Sequence, residues 1–363
     1  MSLLAFDYNL RIPGPTPLPD QVRMAVSRQM ISHRGKSYEE IHSRVVENIK
    51  HFFQTKNDVF LLTSSGMGGL EAAIVNFFSP KDKVVFLTCG EFGERWAEVA
   101  RIFGLTVIQE KFKSGEAVDP VKIESLSQEN PDIKGVFITL NETSTGVLNP
   151  VAELARIVHQ QPDGPLILVD GISGLGAIDL PIDKLGIDVA VSATQKAWMS
   201  PPGLSIISVS AKAWEKHKNA QLPRAYFDLT QFREFGLKNQ TPATPAIATL
   251  FGLDAALQMM KVEGREKLFA RHLRLRDLTR AEVKKIGLKL MVEDKNASPT
   301  VTSFWMPEGK EAKAWLTEIK DKYKIILTGG MGEMKEEIIR ISHMGYTTEA
   351  DLMPVFKALK ETL

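Results

Sequence analysis

The chain has 363 residues, with 45 Lys+Arg against 44 Asp+Glu and a formal net charge of +1, so it offers no basic excess for a nucleic acid. Its 44% hydrophobic and 25% charged residues are those of a globular protein, and no apolar run reaches the roughly 18–20 residues that cross a bilayer. The single cysteine, Cys89, excludes an intrachain disulfide and a thiolate-rich zinc site; with no basic, cleavable leader in the first twenty residues, a cytoplasmic protein of about two domains is expected.

From about residue 20 to 250, short apolar runs alternate with amphipathic stretches. Residues 59–63 read as a strand that ends in Ser64-Ser65-Gly66-Met67-Gly68-Gly69, ahead of a helical stretch over 70–75. Residues 83–88 end in Cys89-Gly90-Glu91-Phe92-Gly93, with a helix expected over 94–103. Residues 135–140 end in Asn141-Glu142-Thr143-Ser144-Thr145-Gly146, residues 166–169 in Asp170, and residues 187–191 in Ser192-Ala193-Thr194-Gln195-Lys196; residues 204–209 close the series. Continuous rather than alternating apolar runs are the pattern of strands buried on both faces, and strands interleaved with helices imply an α/β domain with a parallel sheet. Ligands of such sheets bind beyond the carboxyl ends of the strands, so these polar endings should converge on one crevice. After Thr241-Pro242-Ala243-Thr244-Pro245 the character changes to helices over 246–260 and 267–286, strands over 301–305 and 338–342, and helices over 310–323 and 349–359. The expected division is a large domain, 1–250, and a smaller α+β domain, 251–363.

The loop over 63–69 joins a strand to a helix through Ser and Gly. Such a turn is either an anion cradle, with free N–H groups at a helix N-terminus, or a tight connection and nothing more. It has neither the Gly-Lys-Ser/Thr of a Walker loop nor a third glycine for a dinucleotide fingerprint. Asp170 stands at the mouth of a buried strand, as a turn cap or as a partner for a cation. Lys196 ends the next strand, as a solvated charge or as a buried amine able to attack a carbonyl. An acid and a lysine flanking an anion cradle match what pyridoxal phosphate needs: phosphate to the loop, pyridine nitrogen to the acid, aldehyde to the amine. Arg340 lies among β-branched residues, where a guanidinium demands a partner, either a structural acid or a bound carboxylate.

Those features carry a resemblance. The chain resembles the class V aminotransferases of the fold-type-I pyridoxal-phosphate enzymes, most nearly the alanine–glyoxylate and serine–pyruvate group. The matching stretches are Pro13-Gly14-Pro15-Thr16-Pro17, residues 63–73, Glu142 to Val147, Val169-Asp170, Ser192 to Ala197, Pro201-Pro202-Gly203, Thr241 to Pro245 and Arg340-Ile341-Ser342, in family order. The resemblance implies a mostly parallel seven-stranded sheet between helices, plus a small α+β C-terminal domain. It implies that Lys196 forms the internal Schiff base and then moves the substrate proton, and that Asp170 pairs with the pyridinium nitrogen. It assigns the phosphate to Ser65, Gly66, Met67 and Gln195, ring stacking to Phe92 in place of the relatives' tryptophan, and the ring hydroxyl to Thr143 or Ser144. Thr244, and Thr241 where some relatives have tyrosine, would reach the phosphate of a neighbouring subunit, which implies a homodimer with shared sites. Arg340 would hold the substrate carboxylate, with Gly14 lining the same pocket. The implied reaction passes an amino group from alanine or serine to a 2-oxo acid such as glyoxylate or pyruvate, ping-pong through pyridoxamine phosphate and without a metal.

Ser32-His33-Arg34-Gly35 resembles a segment that reaches a distal anion in some relatives, which would favour an aspartate-like or phosphorylated donor; its other reading is a surface charge. The basic run Arg271-His272-Leu273-Arg274-Leu275-Arg276 reads as a solvated helix face. A cysteine desulfurase would need its thiol on a C-terminal loop and a stacking histidine, where this chain has Cys89 and Phe92. A non-catalytic subunit would often lack Lys196 or Arg340, and both are present.

Overall fold

The computed structural model describes residues 8–160 and 164–363. The apolar runs become a seven-stranded sheet. Its strands are β1 (Asp58–Ser64), β2 (Lys83–Thr88), β3 (Thr106–Lys111), β4 (Gly135–Thr139), β5 (Leu166–Asp170), β6 (Val189–Ala193) and β7 (Gly203–Val209). Their order is β1-β7-β6-β5-β4-β2-β3, with β7 antiparallel to both neighbours and every other pair parallel. The continuous apolar runs have a direct cause. Val85, Leu87, Ile167 and Val169 pack into one core cluster, while Val84, Phe86, Leu166 and Leu168 pack into another. Alternate side chains of one strand thus enter cores on opposite faces. On the second face Phe86 stacks on Phe137 at 4.2 Å between centroids, and Trp96 meets Phe137 edge-on at 4.8 Å. Strand β3 was not expected: it is an edge strand whose ends are exposed and whose residues are only half-buried, so its run is short and polar.

The helices that frame the sheet are α1 (Lys36–Phe53), α2 (Gly66–Val75), α3 (Glu91–Ile102) and α4 (Ile247–Glu263). Helix α2 rides close to the sheet because a Cβ on Gly69 would stand 2.7 Å from Val191 Cγ1. Helix α4 buries Leu250, Phe251, Leu253, Leu257 and Met260 in the core of the large sheet, so the expected division at residue 250 falls inside an element of the large layer.

The smaller layer is a three-stranded antiparallel sheet, β8 (Val301–Trp305), β9 (Thr328–Gly329) and β10 (Ile338–Ser342), in the order β8-β10-β9. Helices α5 (Arg265–Lys285), α6 (Ala312–Tyr323) and α7 (Glu349–Thr362) pack on it around Leu275, Phe304, Trp315, Ile341 and Phe356. Residues 9–10, expected with the large domain, pair in parallel with Ile325–Ile326, and Ser342 N–H donates to the Arg11 carbonyl at 2.9 Å.

The solvated face expected at 271–276 is corrected. His272 and Leu275 are wholly buried, and Arg271 pairs with Glu263 at 2.6 Å and donates to the Gly345 carbonyl at 2.8 Å. His272, Leu275, Thr279 and Val283 form a helical stripe facing the core; the arginines between them masked it. Among the described residues no helix is long and apolar enough to cross a membrane.

Candidate active site

The carboxyl ends of β1, β4, β5 and β6 and the first turn of α3 open onto one cavity. It brings together Ser65, Gly66, Met67, Phe92, Thr143, Asp170, Gln195 and Lys196 from the expected set. Ser65 is the N-cap of α2, yet its hydroxyl makes no capping bond to its own helix. The helix N-terminus therefore presents free N–H groups, a hydroxyl and a positive dipole end to the cavity. Gln195 lies beyond β6 with its Oε1 buried and unpartnered among the described residues.

Asp170, the last residue of β5, is 5% exposed, and its Oδ1 accepts from Ile172 N–H at 2.9 Å. Burial pushes its carboxyl up to about 7, with Lys196 opposing. Burial also brings the Lys196 amine down to about 8, against the attraction of Asp170. Lys196 Nζ donates to the Pro13 carbonyl and stands 6.0 Å from the centroid of Phe92. Gly14 closes the amine's other side. A Cβ there would lie 2.7 Å from Lys196 Cδ and 2.8 Å from Nζ, and its φ of +107° suits glycine alone. The Pro-Gly-Pro turn thus walls in the lysine directly.

Arg340 sits in the middle of β10, 5% exposed, donating from Nε to the Gly329 carbonyl and from Nη1 to the Thr143 carbonyl, both at 2.8 Å. Among the described residues it has no carboxylate partner within ion-pair distance, which removes the structural ion pair as its explanation. Burial lowers its guanidinium to about 10, with Glu142 pulling the other way. A buried cation with no carboxylate in contact is suited to receive an anion.

The structure separates Thr143 from Ser144. Thr143 lines the cavity, whereas the Ser144 hydroxyl donates to Glu142 Oε1 at 2.6 Å and accepts from Glu91 N–H at 3.1 Å, away from the cavity lining. Thr241 and Thr244 are outside their own chain's cavity: Thr241 Oγ1 donates to the Ala243 carbonyl at 2.8 Å, and Thr244 is exposed.

Three contributors escaped the sequence reading. Asn141 lines the cavity, held by bonds from Nδ2 to Ser173 Oγ and Thr300 Oγ1 at 2.9 Å each, with Oδ1 buried and unpartnered. Glu142, wholly buried, accepts from Phe92 and Gly93 N–H at 3.1 and 3.2 Å and so caps α3 from another strand. That is why α3 starts at Glu91 and not at the expected Glu94. Arg95, one turn beyond Phe92, is the third. For Asn141 and Glu142 the available signal was their place in a polar strand ending; for Arg95 it was the spacing of three from Phe92.

The donor set fits pyridoxal phosphate. A helix N-terminus with an uncommitted serine suits a phosphate, a buried acid at a strand end suits a pyridine nitrogen, and a lysine with a lowered affinity for its proton suits an aldehyde. Gln195 and Asn141, which line the cavity, each keep a buried oxygen without a partner among the described residues.

The comparisons with known proteins agree. The family description Aminotransferase class-V matches residues 18–355. The chain is 40% identical over 356 residues to the soluble hydrogenase 42 kDa subunit of Anabaena cylindrica, covering 98% of this chain and 92% of that protein. It is 35% identical to the L-aspartate–glyoxylate aminotransferase of Paracoccus denitrificans, covering 93% and 87% of the two chains. It is 34% identical to the serine–glyoxylate aminotransferase of Hyphomicrobium methylovorum, covering 94% and 86%.

Proposed function

The chain belongs to the class-V aminotransferase family, and on that premise we propose that it moves an amino group from alanine or serine to a small 2-oxo acid such as glyoxylate or pyruvate. Class-V aminotransferases use pyridoxal phosphate, which when bound carries the amino group between two half-reactions and draws electrons from the substrate α-carbon. In this reading Lys196 supplies the amine that attaches the cofactor and then takes and returns the proton at the substrate α-carbon. Asp170 holds the pyridine nitrogen in its charged form, and Phe92 covers one face of the ring. Ser65, Gly66, Met67 and Gln195 hold the phosphate, and Thr143 bonds near the ring hydroxyl. Arg340 grips the substrate carboxylate beside Gly14. The observation that carries the reading is Arg340, a buried guanidinium with no acid in ion-pair contact among the described residues, next to a cavity where Lys196 and Asp170 are buried together.

Arg34 supports a donor with a single carboxylate. Its Nη1 donates to the Thr241 carbonyl at 2.6 Å and to Gln240 Oε1 at 3.2 Å, its Nη2 donates to the Pro242 carbonyl at 3.1 Å, and it lies 4.9 Å from the Phe235 ring centroid. A guanidinium so engaged has its donors largely occupied, which leaves fewer of them for a second substrate carboxylate. A dicarboxylic donor is the second reading, favoured by the name of the Paracoccus relative. Cys89 argues against a desulfurase: it is buried beside Asn149, outside the cavity lining, and burial pushes its thiol up. The Anabaena relative's name suggests a subunit role, against which stands the joint retention of Lys196, Asp170 and Arg340.

Purified protein should be yellow, and a donor panel assayed against glyoxylate, pyruvate and 2-oxoglutarate should show alanine or serine with the highest kcat/KM. Aspartate ahead of both by tenfold or more would replace this donor assignment with the second. A homodimer is part of the proposal, supported by Thr241 and Thr244 standing outside their own cavity. Light scattering should read about twice the chain mass; a fully active monomer would contradict the shared site. A cytoplasmic location fits the lone, reduced Cys89.

A further inference from the structure

The cavity holds its charges unevenly. Besides Lys196, Arg95 is the one cationic side chain that lines it among the described residues. A phosphate near neutral pH carries about 1.5 to 2 negative charges. The N-terminus of α2 offers roughly half a positive charge, and Ser65 and Gln195 offer none. Lys196 is assigned to the aldehyde carbon and to the proton at the substrate.

Arg95 is well placed to make up the difference. It follows Phe92 by three residues on α3, so the two side chains share a helix face, and both line the cavity with Ser65, Met67 and Leu70. Its backbone is fixed, because Glu142 accepts from Phe92 and Gly93 N–H and the Ser144 hydroxyl accepts from Glu91 N–H. Its side chain is uncommitted: neighbouring Glu94 pairs with Lys111 at 3.0 Å, and no acid among the described residues pairs with Arg95. A guanidinium matches a phosphate with two parallel N–H donors, which a lysine cannot do.

We propose that Arg95 is a cofactor-binding residue that neutralises the phosphate of pyridoxal phosphate at the N-terminus of α2. The inference rests on the family's cofactor and adds a residue to its site.

The test compares pyridoxal phosphate with unphosphorylated pyridoxal. Apoprotein of wild type, Arg95→Ala and Arg95→Lys is titrated with each, followed by intrinsic fluorescence, with circular dichroism as the check on folding. Arg95→Ala should bind pyridoxal phosphate about tenfold more weakly, the size of one charge-assisted hydrogen bond, while pyridoxal affinity stays unchanged. Arg95→Lys should recover part of the loss. Inorganic phosphate should raise the melting temperature of wild-type apoprotein more than that of Arg95→Ala. Equal losses for both ligands, or no loss for either, would overturn the proposal. So would intact cofactor affinity with a raised KM for aspartate alone, which would assign Arg95 to a distal carboxylate of the substrate. If Arg95→Ala misfolds, Arg95→Gln carries the same comparison. Wild-type protein that takes up neither ligand would overturn the cofactor assignment together with this one.

Discussion

Replacing Lys196 with alanine is expected to lower transamination by at least about 10⁴-fold, because in the proposed function one side chain serves as both the nucleophile that attaches the cofactor and the base at the substrate. The walls of its pocket hold the amine in place. Pro13 holds the amine by its carbonyl, and Gly14 leaves no room beside it. The same surroundings set a pH dependence. An amine brought down to about 8 by burial is about half uncharged at pH 8, where an ordinary lysine is uncharged to about 0.3%. Uptake of pyridoxal phosphate by the apoprotein should therefore accelerate as pH rises through about 8, as the nucleophilic form accumulates. In Lys196→Ala that pH-dependent phase should vanish from stopped-flow absorbance traces. A Lys196→Ala protein with wild-type turnover would sink the assignment of this residue.

Replacing Asp170 with asparagine should cost about 10²–10³ in kcat, the usual effect of removing one preorganised charge from a buried site. The substitution keeps the shape and the acceptor for Ile172 N–H, so the fold and the KM of the donor should change little. The side chain is buried without a bonded cation among the described residues, and that burial pushes its carboxyl up to about 7. A positive ring nitrogen brought alongside would favour the charged acid and be favoured by it. Steady-state kinetics on Asp170→Asn read the effect directly. Unchanged kcat would remove Asp170 from the catalytic set and leave it a turn cap.

How legible these features were depends on where their causes lie. Residues 84–87 and 166–169 announced a doubly covered sheet, because burial on both faces demands apolar side chains at successive positions. The convergence of Ser65, Asp170 and Lys196 followed from strand ends alone, since a parallel sheet puts all its carboxyl ends on one side. Features caused by distant residues stayed hidden. Glu142 starts α3 three residues early from beyond the neighbouring strand β4, about fifty residues away along the chain. Thr143 and Ser144 are adjacent hydroxyls whose roles part only once Glu142 and Glu91 are in place. The basic run at 271–276 misled because charge is conspicuous in a sequence and a helical stripe of His272 and Leu275 is not.

The wall that confines Lys196 comes from a segment joined to the other end of the polypeptide. Residues 9–10 lie alongside Ile325–Ile326, and Asn9 donates to the Asp351 carbonyl, 342 residues away along the chain. Synthesis makes that segment early and its anchors late. The large sheet can collapse on the ribosome while the lysine still lacks its lid, and the reactive pocket is finished only after β10 and α7 have emerged. The surroundings of Lys196 are thus completed by contacts between the two ends of the chain.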